Sequence, residues 1–227
     1  MYMRRELTLP EIDSLFQFVQ KKGVKPLDVQ IELVDHLASD IEDILNQNKA
    51  ISFHAALEQS SIKFGRWGFD YFLQRAEASV YERQSRLIWQ AFLSFFQWPK
   101  AVFTVILGLV LWWGIAKGGL FAHIRWVVVG VLVLGSLYIF FSFWRRRQLK
   151  YQLLLTRPPQ ALIFCGQIPS FLNLLLGEYW QNNLTKEAFA TWATVFLVFS
   201  FIFIWASVEV YEHLRAESKR LYPQAFV

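Results

Sequence analysis

Apolar residues in this chain are gathered into four blocks, at roughly 98–116, 124–144, 160–177 and 188–208. Each approaches the roughly 20 residues that a helix needs to cross a bilayer core. Stretches of this kind leave few folds open, because in lipid every backbone N–H and C=O must be satisfied within the segment or its neighbours, and an isolated apolar block does that as a helix. Residues 1–97 are charged and interrupted, and read as a soluble helical domain. The expected architecture is all-α: a small cytosolic helical domain over 1–97, a polytopic bundle of four transmembrane helices over 98–208, and a cytosolic tail over 209–227.

The first block has Pro99 at a plausible first helical position and Trp98, Trp112 and Trp113 near its ends. The second, Trp126 to Trp144, stops at Arg145-Arg146-Arg147, and the fourth, Ala188 to Val208, follows Thr185 as a cap and Glu187 as a first-turn acid. The third is short and carries Gln167, Pro169 and Asn173, so its reading lies between a span and a re-entrant segment. Charge supports four spans. The 145–157 connection holds five cations and the tail three, Arg215, Lys219 and Arg220, against Lys117, Arg125 and Lys186 on the opposite loops. By the positive-inside rule this implies a multi-pass protein of the bacterial inner membrane with both termini cytoplasmic. No apolar run precedes the first block, so no cleavable signal peptide is expected.

The net charge of +5 carries a different meaning once divided. Residues 1–97 have 11 Lys and Arg against 13 Asp and Glu, and residues 98–227 have 12 against 5. The basic excess flanks apolar blocks, which excludes a nucleic-acid footprint on the helical domain. No acid or base falls deep inside a block. The polar residues there, Gln167 and Asn173 foremost, form a possible intramembrane site, or else bond neighbouring helices. Gly114 and Gly118 have the spacing of a helix-dimer motif, a pointer to a homo-oligomer. Cys165 is the single cysteine, which excludes an internal disulfide and a thiolate-rich zinc site.

Within residues 1–97 four helices are predicted: Pro10 to about Lys22, with Ile12, Leu15, Phe16 and Val19 inward; Pro26 to Asn46, with Val29 or Gln30, Leu33, Leu37, Ile41 and Ile44 or Leu45 inward; a short helix after Ser52; and a longer one from near Asp70. The last runs into Leu87–Phe96, expected to lie at the membrane interface before Pro99. On the second helix Glu32, His36 and Asp40 recur at i, i+4 and i+8, beside Asp35, Glu42 and Asp43. Such a stripe can seat a cation or hold a charged imidazole between carboxylates. It can equally be a solvated face, or a contact for a basic partner. One imidazole is too few for a catalytic metal site, and nothing matches a nucleophile elbow, a phosphate-binding loop or a zinc-protease motif. No enzyme activity, metal or cofactor is expected.

The series Leu33-Val34-Asp35-His36-Leu37 with Ile41-Glu42, then Ser52 to Leu57 and Lys63-Phe64-Gly65, resembles the HAAS-type helical module over roughly residues 12–72. It is also similar to inner-membrane proteins of the Bacteroidetes with the same layout. The resemblance implies a signalling module associated with PadR-like regulators, with Asp35, His36 and Glu42 marking a partner surface. Together these readings give a non-catalytic membrane protein that senses or recruits a protein partner through Glu32, Asp35, His36, Asp40 and Glu42, with the lipid bilayer as its other partner. The alternatives are a transporter or transporter-accessory subunit, and a structural or assembly subunit.

Overall fold

A computed structural model of the chain describes residues 5–64, 68–117, 130, 137–138, 140–142, 144, 149–159 and 184–226. They hold α1 (Leu9–Lys21), α2 (Leu27–Gln47), α3 (Phe53–Phe64), α4 (Gly68–Ser94), α5 (Lys100–Ala116) and α6 (Lys186–Leu221), followed by a 3-10 turn at Pro223–Ala225. The chain divides into two compact units. An N-terminal unit comprises Met1–Tyr81, Leu149–Arg157 and Ser218–Val227, and an apolar unit comprises Glu82–Gln148 and Pro158–Glu217.

Local chemistry sets the helices of the N-terminal unit. Thr8 precedes α1, and its N–H and hydroxyl both donate to the Glu11 carboxylate at 2.9 Å, the reach-back arm of a capping box. Gly23 ends the helix at φ +92°, a left-handed conformation that a side chain would strain. The turn into α2 is closed by the buried Gln30 amide, which donates to the carbonyls of Val24 at 2.7 Å and Lys25 at 3.3 Å. Ser52 caps α3 by accepting the Ala55 N–H at 3.3 Å. The core follows the helical period. Val29, Leu33, Leu37, Ile41 and Leu45 line one face of α2 and pack with Leu15 and Val19 of α1, Ala56 of α3 and Phe69 of α4. Ile12, Phe16, Phe53 and Leu57 pack at its margin.

In the apolar unit α6 is the organising element. Thr185 caps it, accepting the Ala188 N–H on its side-chain oxygen at 3.3 Å. Thirty-six residues without Gly or Pro give a rod of about 54 Å at roughly 1.5 Å per residue. Along it, Phe189, Ala190 and Ala193 pack on Ile115 and Ala116 of α5. Next, Val198, Ile202 and Ala206 meet Phe92 and Phe95, with Leu107 and Leu111 of α5 alongside. Farther on, Val210 and Leu214 close on Ile88. Polar ties fix the register: Trp112 Nε1 donates to Thr191 Oγ1 at 3.2 Å, Lys100 Nζ lies 3.7 Å from Glu209, and Arg83 donates to both Glu217 oxygens at 2.9 and 2.8 Å.

The all-α expectation agrees with this structure, but the bundle of four transmembrane helices does not. Among the described residues one helix, α6, is long and apolar enough to cross a membrane. The block at 98–116 forms α5, whose 17 residues span about 25 Å, short of the roughly 30 Å hydrocarbon core. The block at 160–177 and most of that at 124–144 lie outside the described residues. A multi-pass inner-membrane topology with both termini cytoplasmic rested on four spans. With one such helix found, that expectation is corrected as well. The fourth block itself is longer than its apolar part: α6 starts at Lys186 and runs past residue 208 to Leu221. Charge ends an apolar block but not a helix, and Glu, Lys, Arg and Leu are good helix formers.

Candidate functional site

The polar stripe of α2 meets other segments of the N-terminal unit at Asp40 and Glu42. Lys63 of α3 donates to Asp40 at 2.5 Å. Burial works against the charged Asp40 carboxyl, but hydrogen bonding from Lys63 and the Lys63 charge outweigh it, so Asp40 titrates below the usual carboxylate range. The Glu42 carboxylate accepts the Leu7 N–H at 2.9 Å, and Asn46, one turn on, accepts the Arg5 N–H at 2.8 Å. These contacts tie the segment before α1 onto α2. His36 is exposed and stands edge-on to Phe72 of α4, with ring centroids 6.0 Å apart. Glu32 and Asp35 are exposed on the same helix. The structure thus brings the stripe against three other segments and leaves Glu32, Asp35 and His36 at the surface. Among the described residues, no group of three or more His, Cys, Asp and Glu side chains is gathered to hold a metal ion.

A neighbouring arrangement has no counterpart in the sequence reading. Asp28, in the first turn of α2, receives the Leu154 N–H on both carboxylate oxygens, at 3.0 and 2.8 Å, and the Leu155 N–H at 3.1 Å. The Leu27 N–H donates to the Gln152 carbonyl at 2.7 Å. Residues 218–226 adjoin this place: the Lys150 N–H donates to the Ala225 carbonyl at 3.2 Å. Burial, followed by the charges of Asp28 and Glu32, pushes the Tyr222 phenol above its ordinary value. Leu153 and Leu154 are buried, and Leu154 joins the helical core. The one available sequence signal is the apolar triplet Leu153-Leu154-Leu155 inside an otherwise basic connection.

In the apolar unit the inward faces are covered and the outward ones are not. Val105, Ile106, Leu109, Val110 and Trp113 of α5 are exposed, as are Trp192, Phe199 and Trp205 of α6, with Trp192 at 70%. The stretch expected at the membrane interface divides the same way. Ile88, Phe92 and Phe95 are buried against α6, and Trp89, Leu93, Phe96 and Trp98 are exposed. Contiguous apolar exposure on this scale is rare on a surface that faces only water. The second sequence-predicted site, Gln167 and Asn173, lies outside the described residues.

No protein family, curated protein or solved structure matches the chain. The resemblance to the HAAS-type module and to inner-membrane proteins of the Bacteroidetes is therefore corrected, and it lends no support to a signalling role at Asp35, His36 and Glu42. The pattern that carried it has a local explanation. Leu33, Leu37 and Ile41 are core contacts at the four-residue spacing of any packed helix, and Glu42 holds the chain's own Leu7. What stands is an all-α chain with one helix able to cross a membrane among its described residues.

Proposed function

We propose that this is a non-catalytic, membrane-associated protein whose N-terminal helical unit recruits a partner. The observation that carries the reading is the uncovered apolar surface of α5 and α6, which suits acyl chains and has no use in water. The N-terminal unit supports the other half. It buries its own apolar stripe and presents Glu32, Asp35 and His36, a surface suited to a basic segment of a partner protein.

Two arms test this with the full chain. In the first, membranes holding the protein are washed with alkaline carbonate. Retention in the pellet is expected, with a lower retained fraction for the triple variant Trp192→Ser, Phe199→Ser, Trp205→Ser; release of the unaltered chain would reject membrane association. In the second, affinity capture from native membranes compares the chain with Glu32→Lys, Asp35→Lys. The charge reversal should remove at least one stoichiometric partner, and an unchanged set would reject recruitment through this face. The exposed aromatic faces also fit an assembly subunit. A defined oligomer in mild detergent that the Trp192, Phe199 and Trp205 changes dissociate would favour that second reading.

A further inference from the structure

We infer that residues 149–157 form a releasable strap, and that the Asp28 carboxylate is the latch holding it on the N-terminal unit. The strap has no regular secondary structure, so its backbone N–H groups need partners from elsewhere. Those of Leu154 and Leu155 find theirs in one side chain, through three contacts between 2.8 and 3.1 Å. Hydrogen bonds to an ionised acceptor are the strong kind, and a strap N–H left buried without its acceptor is costly. Other ties among the described residues include Leu27 N–H to Gln152, Lys150 N–H to Ala225, and an exposed ion pair of Arg157 with Glu77 at 2.8 Å. The latch is thus concentrated at one residue.

The helical core beneath is built almost wholly without the strap. Leu15, Val19, Leu33, Leu37, Ile41, Leu45 and Ala56 come from α1, α2 and α3, and Leu154 is the strap's one fully engaged member of that core. Opening the strap gives up the burial of Leu153, Leu154 and Thr156 and the latch, whereas opening the helices gives up the whole core. Segments with so unequal a share of burial open independently. Release would bare Leu153 and Leu154, and Lys150 near the start of the strap would become a protease site.

Hydrogen exchange on the full chain in detergent micelles tests this with Asp28→Ala, Asp28→Asn and, as a control, Asp13→Ala on exposed α1. In D28A the Leu154 and Leu155 amides should exchange about tenfold faster or more, the size expected for losing a charged acceptor. Trypsin should cut after Lys150 sooner, while amides from Leu33 to Leu45 keep full protection. D28N retains a carbonyl acceptor without the charge and should fall between, and it serves if D28A fails to accumulate. D13A should match the unaltered chain. Unchanged protection at Leu154 and Leu155 in both Asp28 variants would overturn the latch. So would loss of protection spreading equally through α2 and α3, since Asp28 would then be part of the core's own stability.

Discussion

In the N-terminal unit, α2 turns Leu33, Leu37 and Ile41 inward and carries Glu32, Asp35 and His36 outward. In the apolar unit, α6 turns Ala190, Ile202 and Ala206 inward and carries Trp192, Phe199 and Trp205 outward. Both helices obey the same 3.6-residue period and both have a dry seam. The inward positions of α6 include small residues that let helices approach, and the outward ones are large and aromatic. Periodicity therefore tells which face of a helix packs against protein. The chemistry of the opposite face tells which medium it meets.

The largest effects should follow inward substitutions in either unit. Leu37→Ala and Ile202→Ala each remove a side chain with no exposed surface, and each should cost about 2–5 kcal/mol in unfolding measurements on the purified chain. Trp192→Ala, outward on α6, should cost well under that in micelles, where detergent covers the site. If it destabilised the protein as much as Ile202→Ala, the outward face would be buried in a protein contact and the comparison would fail.

Smaller effects probe how the N-terminal unit's helices begin. Thr8→Ala should cost about 1 kcal/mol, the usual worth of a cap. Glu11 adds a pH signature. Hydrogen bonding from the Thr8 backbone chiefly, with help from the Thr8 hydroxyl and Arg5, outweighs burial and holds its carboxyl below the ordinary value of 4.5. A lowered folded value means the contribution is complete above 4.5 and disappears as pH falls through that lowered value. Glu11→Gln should flatten the acid limb of a stability-versus-pH curve and leave its neutral part less stable. The smallest change belongs to Lys63→Ala. Its side chain is more than half exposed, so losing the Asp40 pair should cost under about 1 kcal/mol.

What was legible from sequence divides by the distance over which contacts act. The helices of the first 94 residues were readable because a cap such as Thr8 or Ser52, a stop such as Gly23 and a stripe such as Leu33, Leu37 and Ile41 are all local. The stretch Leu87–Phe96 was legible only as apolar; that Ile88, Phe92 and Phe95 pack on α6 depends on residues more than a hundred positions away. The far end of α6 was hidden because hydropathy falls at Glu209 while helix formation does not. The α2 stripe was visible as a pattern, but its use was not: Lys63, Leu7 and Phe72 reach it from elsewhere in the chain. Asp28 shows the limit most plainly. An acid in a first helical turn needs no further explanation, and its partners lie more than a hundred residues away.

That separation gives the N-terminal unit a history during synthesis. Its helical core is encoded before residue 70, its strap near residue 150 and its last segment after residue 217. At roughly 5–20 residues per second, seconds pass between the emergence of α3 and that of Leu154. Over that interval the strap's place on α2 is unfilled. A factor or a neighbouring chain offering an extended segment would then meet Asp28 before the protein's own strap does.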